Sequence, residues 1–203
     1  SKEPIALVKF GFALYMTTDN WTYQYYENDN GDRVFHGNLT YKLLFGKNWI
    51  YTVTGKFSHG KKEGTWEYKA ISDNKEIAKF VVNYHNDLLE GNFEYFVAHG
   101  KNEITSMNGM FQNGDLVGVV KYKNAGLRYS YNYMLNYMEG GYPIGIWKFN
   151  EKSDINYDHE MRFINGFLVS MKTTDQSTGE RKESKADNVE LVDFIGYAGK
   201  YKV

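Results

Sequence analysis

Between residues 33 and 149 apolar and polar side chains alternate along the chain, and the alternation restarts at a fixed interval. Trp66, Tyr68 and Ala70 alternate with Thr65, Glu67 and Lys69, and Phe93 and Tyr95 alternate with Asn92 and Glu94. A period of two with one apolar side predicts strands that bury one face. Each run opens on a glycine, and Gly37, Gly64, Gly91, Gly118 and Gly145 stand 27 residues apart. Gly64-Thr-Trp66-Glu-Tyr68 is the clearest copy. Gly91-Asn-Phe93-Glu-Tyr95 and Gly145-Ile-Trp147-Lys-Phe149 repeat it, and Gly37-Asn-Leu39-Thr-Tyr41 and Gly118-Val-Val120-Lys-Tyr122 are weaker versions. A fixed period of this size marks a repeat architecture.

Each copy reads as two strands. The first is expected to start at the glycine. The second runs into an aromatic just before the next glycine: Phe57, Tyr84 and Phe111. Stepping back by twos from those rings gives Trp49, Tyr51, Val53 and Gly55 in one copy, Phe80 and Val82 in the next, and Met107 and Gly109 in the third. His59-Gly60, Asn86-Asp87 and Asn113-Gly114 then sit at matching places. Such pairs tolerate positive φ and read as hairpin turns. Ser72-Asp73-Asn74 and His99-Gly100-Lys101-Asn102 mark the turns at the other end. The expected fold is all-β: one domain over 1–203, an antiparallel meander of stacked β-hairpins. A single sheet cannot leave an aromatic face in water, so strong twist or curl is expected too.

The flanks are less regular. Residues 1–32 read as opening strands, Ile5–Met16 and Trp21–Glu27, with a turn at Asp19-Asn20 and another over Asn28–Gly31. Residues 33–150 hold the five repeats. Before the fifth, Leu127, Tyr129, Tyr131, Tyr133, Leu135 and Tyr137 alternate without a break, and Met138–Pro143 carries one extra residue. Residues 151–203 read as a closing hairpin, Ile155–Ile164 and Phe167–Lys172 around Asn165-Gly166. A polar stretch, Thr173–Asp187, follows as an expected mobile loop, and the apolar Val189–Tyr197 as a helix or strand in a C-terminal cap.

Composition narrows the function classes. Aromatics make up 17% of the 203 residues, against 2 prolines and 20 glycines, which suits strands joined by tight turns. A formal net charge of -1 with no basic stripe argues against nucleic acid as a partner. The absence of cysteine excludes disulfides and thiol nucleophiles. No apolar run is long enough for a membrane-spanning helix. A chain opening on Ser1 rather than methionine is expected to have lost an upstream segment, which leans towards an exported protein.

Candidate chemistry is sparse. His59 and His85 occupy near-equivalent turn positions and could be neighbours, but with His36, His99 and His159 they lack metal-ligand spacing. No nucleophile elbow or phosphate loop is present. Glu67 and Glu94, continued by Lys121 and Lys148, read as a solvated charge ladder on the polar face. No catalytic residue, metal or cofactor is therefore assigned. The five glycines are read as structural, and Trp66, Phe93 and Trp147 as core. Tyr129 and Tyr131 are the exception. By spacing they match Glu76 and Ala78 of an earlier copy, so tyrosines stand where other copies are charged or small, and they are the candidate binding residues.

The stretch Gly55-Lys-Phe57-Ser-His-Gly60-Lys-Lys-Glu-Gly64-Thr-Trp66-Glu-Tyr68, matched by Tyr84–Tyr95 and Phe111–Tyr122, resembles the MORN repeat. It is closer to the bacterial variant found in antitoxin-like proteins and exported repeat proteins. MORN units are usually shorter, so the extra residues would lengthen strands or turns. The resemblance implies stacked hairpins and a protein-interaction or scaffold role, with a protein partner that could be a second copy. It implies no reaction. A carbohydrate or cell-envelope binding module using exposed Tyr and Trp is the alternative.

Overall fold

The computed structural model describes residues 21–45, 48–100, 102–126, 130–137 and 142–185. Ile5–Met16, the Asp19-Asn20 turn, Tyr129 and Val189–Tyr197 lie outside the described residues. Among those described, thirteen strands form one sheet in sequence order, each antiparallel to the next. They are β1 (Trp21–Glu27), β2 (Arg33–Phe45), β3 (Trp49–Ser58), β4 (Lys61–Ser72), β5 (Lys75–His85), β6 (Leu88–His99), β7 (Glu103–Gln112), β8 (Asp115–Ala125), β9 (Ser130–Tyr137), β10 (Gly145–Lys152), β11 (Asn156–Ile164), β12 (Phe167–Asp175) and β13 (Arg181–Lys185). The all-β meander of consecutive hairpins is thus the observed fold. Twelve steps of about 4.8 Å set a contour of roughly 58 Å across the strands.

The turns follow from local chemistry. His59-Gly60, Asp73-Asn74, Asn86-Asp87, Asn113-Gly114 and Asn165-Gly166 all have positive φ at both residues. That is the twisted two-residue turn that matches the twist of flanking strands. Asn, Asp and Gly accept it at low cost.

The recurring glycine does not open its strand, except at Gly145. Gly64, Gly91 and Gly118 are each the fourth residue of β4, β6 and β8. The three residues ahead of each pair with the preceding strand across the turn, as Lys61 does with Ser58 and Leu89 with Tyr84. Gly37, Gly64, Gly91 and Gly118 each mark a bulge instead. Residues 64–66 face Gly55 alone, 91–93 face Val82, 118–120 face Gly109, and 36–38 face Gln24. Gly64 has φ +68°, where a side chain is strained. On the other side the same glycine pairs with the repeat aromatic: Gly37 with Phe57, Gly64 with Tyr84, Gly91 with Phe111, Gly145 with Phe163.

One face carries the core. Trp66, Phe93 and Trp147 are buried, each next to a smaller or flexible partner: Val82, Gly109 and Met161. Gly55 is a close-approach position, since a Cβ there would lie 2.3 Å from the Trp66 indole. The rings pack against one another along the sheet. Phe57 meets Trp66 edge-on at 5.1 Å, Trp66 stacks on Tyr68 at 6.2 Å, and Phe93 meets Phe111 at 4.9 Å. A single apolar cluster therefore runs from Leu39 to Phe163, with Trp21 and Met171 packed against its ends.

Two further expectations are corrected. Glu67, Glu94, Lys121 and Lys148 share a row on the opposite face, but Val81, Asn108 and Met134 stand between them, because every second strand inserts a rung. Glu67 pairs instead with Lys69 at 2.7 Å and Lys148 with Glu160 at 3.1 Å. The stretch expected as a mobile loop from Thr173 is ordered: β12 continues to Asp175, a turn held by the Asp175 carboxylate follows, and β13 pairs back onto β12.

Candidate interaction site

Three features of side-chain chemistry rise above the regular ladder. The first joins one repeat to the next. The second turn residue donates its N–H to the carbonyl two residues before the recurring glycine: Gly60 to Phe35 at 2.8 Å, Asp87 to Lys62 at 3.1 Å, Gly114 to Leu89 at 2.9 Å. The first turn residue donates to the side chain just before the glycine. His59 N–H reaches His36 Nδ1 at 3.3 Å, Asn86 N–H reaches Glu63 at 3.1 Å, and Asn113 N–H reaches Glu90 at 2.8 Å. Glu63 also bonds His85 Nδ1 at 3.0 Å, and these bonds hold its carboxyl below the usual carboxylate range. His59 and His85 therefore serve different clasps. His59 meets His36 edge-on at 4.9 Å and the Tyr26 hydroxyl at 3.1 Å. The equivalent of His59 in the next copy is Asn86, not His85. Among the described residues no group of three or more His, Asp or Glu is placed to hold a metal ion.

The second lies on the apolar face. Directly paired residues share a face, so the pairing defines rows that run across the strands. A row next to the rings of Tyr68 and Phe80 begins Leu43, Tyr51, Ala70, Ala78, Val97. It continues Thr105, Asn124, Tyr131, Glu151, Tyr157, Asp175. Tyr131 thus lands in the row of Ala78, between Asn124 and Glu151. The polar residues are organised. Asn124 Nδ2 donates to Glu103 at 3.0 Å and to the buried Thr105 hydroxyl at 3.1 Å. In the adjoining row His159 stacks on Phe149 at 4.2 Å and bonds Thr173 Oγ1 through Nδ1 at 3.0 Å. Its Nε2 is buried and stands 3.7 Å from Glu151, beyond hydrogen-bond reach. Desolvation pushes the His159 imidazole below its ordinary range, against the pull of Glu151 and Asp158. Among the described residues no lysine or arginine pairs with Glu151.

Lys62 is a third anomaly. It faces Phe57 across the turn, where Tyr84, Phe111 and Phe163 face Leu89, Leu116 and Leu168. Its amine sits 4.9 Å from the Trp66 ring centre and 4.7 Å from that of Tyr84. Burial lowers its pKa, with Asp87 opposing. Burial likewise raises the Tyr68 and Tyr84 phenols.

Sequence reasoning placed Tyr131 by register but missed Glu151, Tyr157, His159 and the clasp residues. Glu151 and Tyr157 looked like ordinary positions near a turn; only the pairing sets them beside Tyr131. For the clasps a signal existed, an acceptor one residue before the glycine in three successive copies. No helix among the described residues is long and apolar enough to cross a membrane. The chain matches no family model, no curated protein and no solved structure.

Proposed function

We propose that this chain is a non-enzymatic protein-interaction or scaffold module built from MORN-like repeats. The observation that carries the reading is the clasp. The same turn-to-strand hydrogen bonds recur at each repeat boundary from Phe35 to Gly114, tying unit to unit. That regular linkage favours a stiff, extended surface, the property a scaffold requires. The Gly-x-Trp-x-Tyr phrase supports the MORN-like assignment, and an antitoxin-like role falls within it. Cross-linking and capture with the full chain as bait, followed by mass spectrometry, is the test. The expected result is a specific protein partner or a self-association; recovery of neither would overturn the reading.

One observation favours a second reading, a carbohydrate or envelope-binding module. Trp49 is 41% exposed and stacks with Tyr51 at 6.1 Å, a platform on which a sugar ring could lie. Titrating tryptophan fluorescence with soluble polysaccharides tests it in wild type and Trp49→Phe. A response lost in the variant supports the module, and a flat wild-type response removes it.

A further inference from the structure

We propose that the face opposite the apolar core is a self-association surface, and that its partner is a second copy of this chain turned about an axis along β7. The middle row of that face carries Glu67 on β4, Glu94 on β6, Asn108 on β7, Lys121 on β8 and Lys148 on β10. Its charge changes sign at Asn108. A two-fold axis along β7 lays β6 on β8 of the second copy and β4 on its β10. Glu94 then meets Lys121, Glu67 meets Lys148, and symmetry makes each contact twice. An axis across the strands would instead set Glu94 on Glu94 and Lys121 on Lys121. Charge therefore selects the first orientation.

The two central charges are not satisfied within the chain. Glu94 and Lys121 are exposed and have no ion-pair partner among the described residues. Asn108 stands between them, so two strand spacings, roughly 10 Å, keep them apart. The adjoining row adds shape. Lys79, Glu94, Phe96, Ser106 and Asn108 line a depression of about 250 Å³. Rotation about β7 brings Lys121 and Lys123 of the second copy over it, where Glu94 offers a carboxylate and Phe96 a ring. Lys79 at its rim lies 4.0 Å from Glu67, which offsets its charge. Further out in that row Lys79 faces Asn132, Lys69 faces Asn150 and Thr52 faces Asp158, so no like charges meet. Ile104 and Met110, 45% and 43% exposed, flank Asn108 on β7 and meet their own copies along the axis. Seven strands at about 4.8 Å by three rows at roughly 7 Å cover on the order of 700 Å² per copy, within the ~600–1,000 Å² of a standard interface.

The inference rests on the protein-interaction reading and names its partner. Sedimentation of the full chain over a concentration series should show a monomer–dimer equilibrium that weakens with added salt. Glu94→Lys and Lys121→Glu should each raise the dimer dissociation constant at least about tenfold, since each creates two like-charge contacts. The double variant Glu94→Lys/Lys121→Glu should return it to within about threefold of wild type, because the swap restores opposite charges. Asp29→Lys, the same charge change in the β1–β2 turn, should alter it less than about twofold. Matching thermal melts confirm that each variant is folded. The chain has no cysteine, so Asn108→Cys gives one thiol per copy, on the proposed axis. A bismaleimide spanning about 10 Å, the spacing of packed sheets, should link two such copies far more readily than two Asp29→Cys copies. A dimer indifferent to both reversals, or a double variant no better than the single ones, would overturn the surface and leave the scaffold reading standing. A chain that stays monomeric while capture recovers a different protein would do the same. A monomeric chain that captures nothing would remove both.

Discussion

The two ends of the meander share a backbone plan and differ in what they place on it. Over β3–β6 the outer row of the apolar face, beyond Tyr68 and Phe80, is Tyr51, Ala70, Ala78 and Val97. Over β7–β12 the same row is Thr105, Asn124, Tyr131, Glu151, Tyr157 and Asp175. The clasps differ as well. The first three carry an acceptor side chain before the glycine, His36, Glu63 or Glu90, while the later copies have Val117 and Ile144 there. The difference teaches where the repeat is under structural demand. The two inner rows stay apolar from β2 to β8, because each strand must bury one face. The outer row and the clasp position tolerate change, and the polar chemistry of the later half gathers in that tolerant row.

The comparison can be broken most directly at the shared core. Trp66→Ala should cost about 3–5 kcal/mol, as expected for emptying a large buried site. Tyr157→Ala, in the polar row, should cost much less. Urea unfolding of both variants measures the gap, and equal losses would refute the division into core and tolerant rows. Gly55→Ala comes next, at about 2–3 kcal/mol, because its new Cβ must displace the Trp66 indole. Thermal melts read this effect, and a neutral result would mean that the indole can move aside freely.

Smaller effects sharpen the contrast. Glu90→Ala removes the acceptor for Asn113 N–H and should cost about 1 kcal/mol. In hydrogen exchange the Asn113 amide should then lose protection and behave as Asn165 does, whose clasp position is held by Ile144. Lys62→Leu has the opposite sign. It restores the leucine found at the matching sites and removes a desolvated amine, so stability should rise by up to about 1 kcal/mol.

The last test is pH. His159 is held below its unfolded pKa of about 6.5, so below that pH the unfolded chain binds a proton that the folded chain refuses. Its contribution to stability is therefore present above pH about 6.5, and is lost as pH falls towards the depressed folded value. The difference in stability between wild type and His159→Gln should shrink over that range, as denaturation at a series of pH values would show.

Much of this architecture was legible in the chain. Equal spacing announced the unit, period two announced strands, and Asn-Gly and Asn-Asp marked turns that the structure places as expected. Trp66, Phe93 and Trp147 lie on the buried face that alternation assigns them. The errors have physical causes. Lys61-Lys62-Glu63 lacks an apolar side, so the start of β4 was set three residues late. The segment that becomes β13, Arg-Lys-Glu-Ser-Lys, is exposed at every position. An edge strand of that kind carries no alternation to detect, and its charges discourage further pairing. The neighbours of Tyr131 were out of reach because the pairing of β9 with β10, and of β10 with β11, is not written in the spacing along any one strand.

What the sequence determined alone is therefore the unit: its length, its strands, its turns and its apolar face. These depend on local propensity and on periodicity within one strand, which are written in neighbouring residues. Tertiary structure decided which units' side chains meet. Cross-strand partners depend on register, and register here is shifted by bulges at the recurring glycines. Only the folded sheet brings Glu151 between two tyrosines, His36 to the turn at His59, and an indole over Gly55.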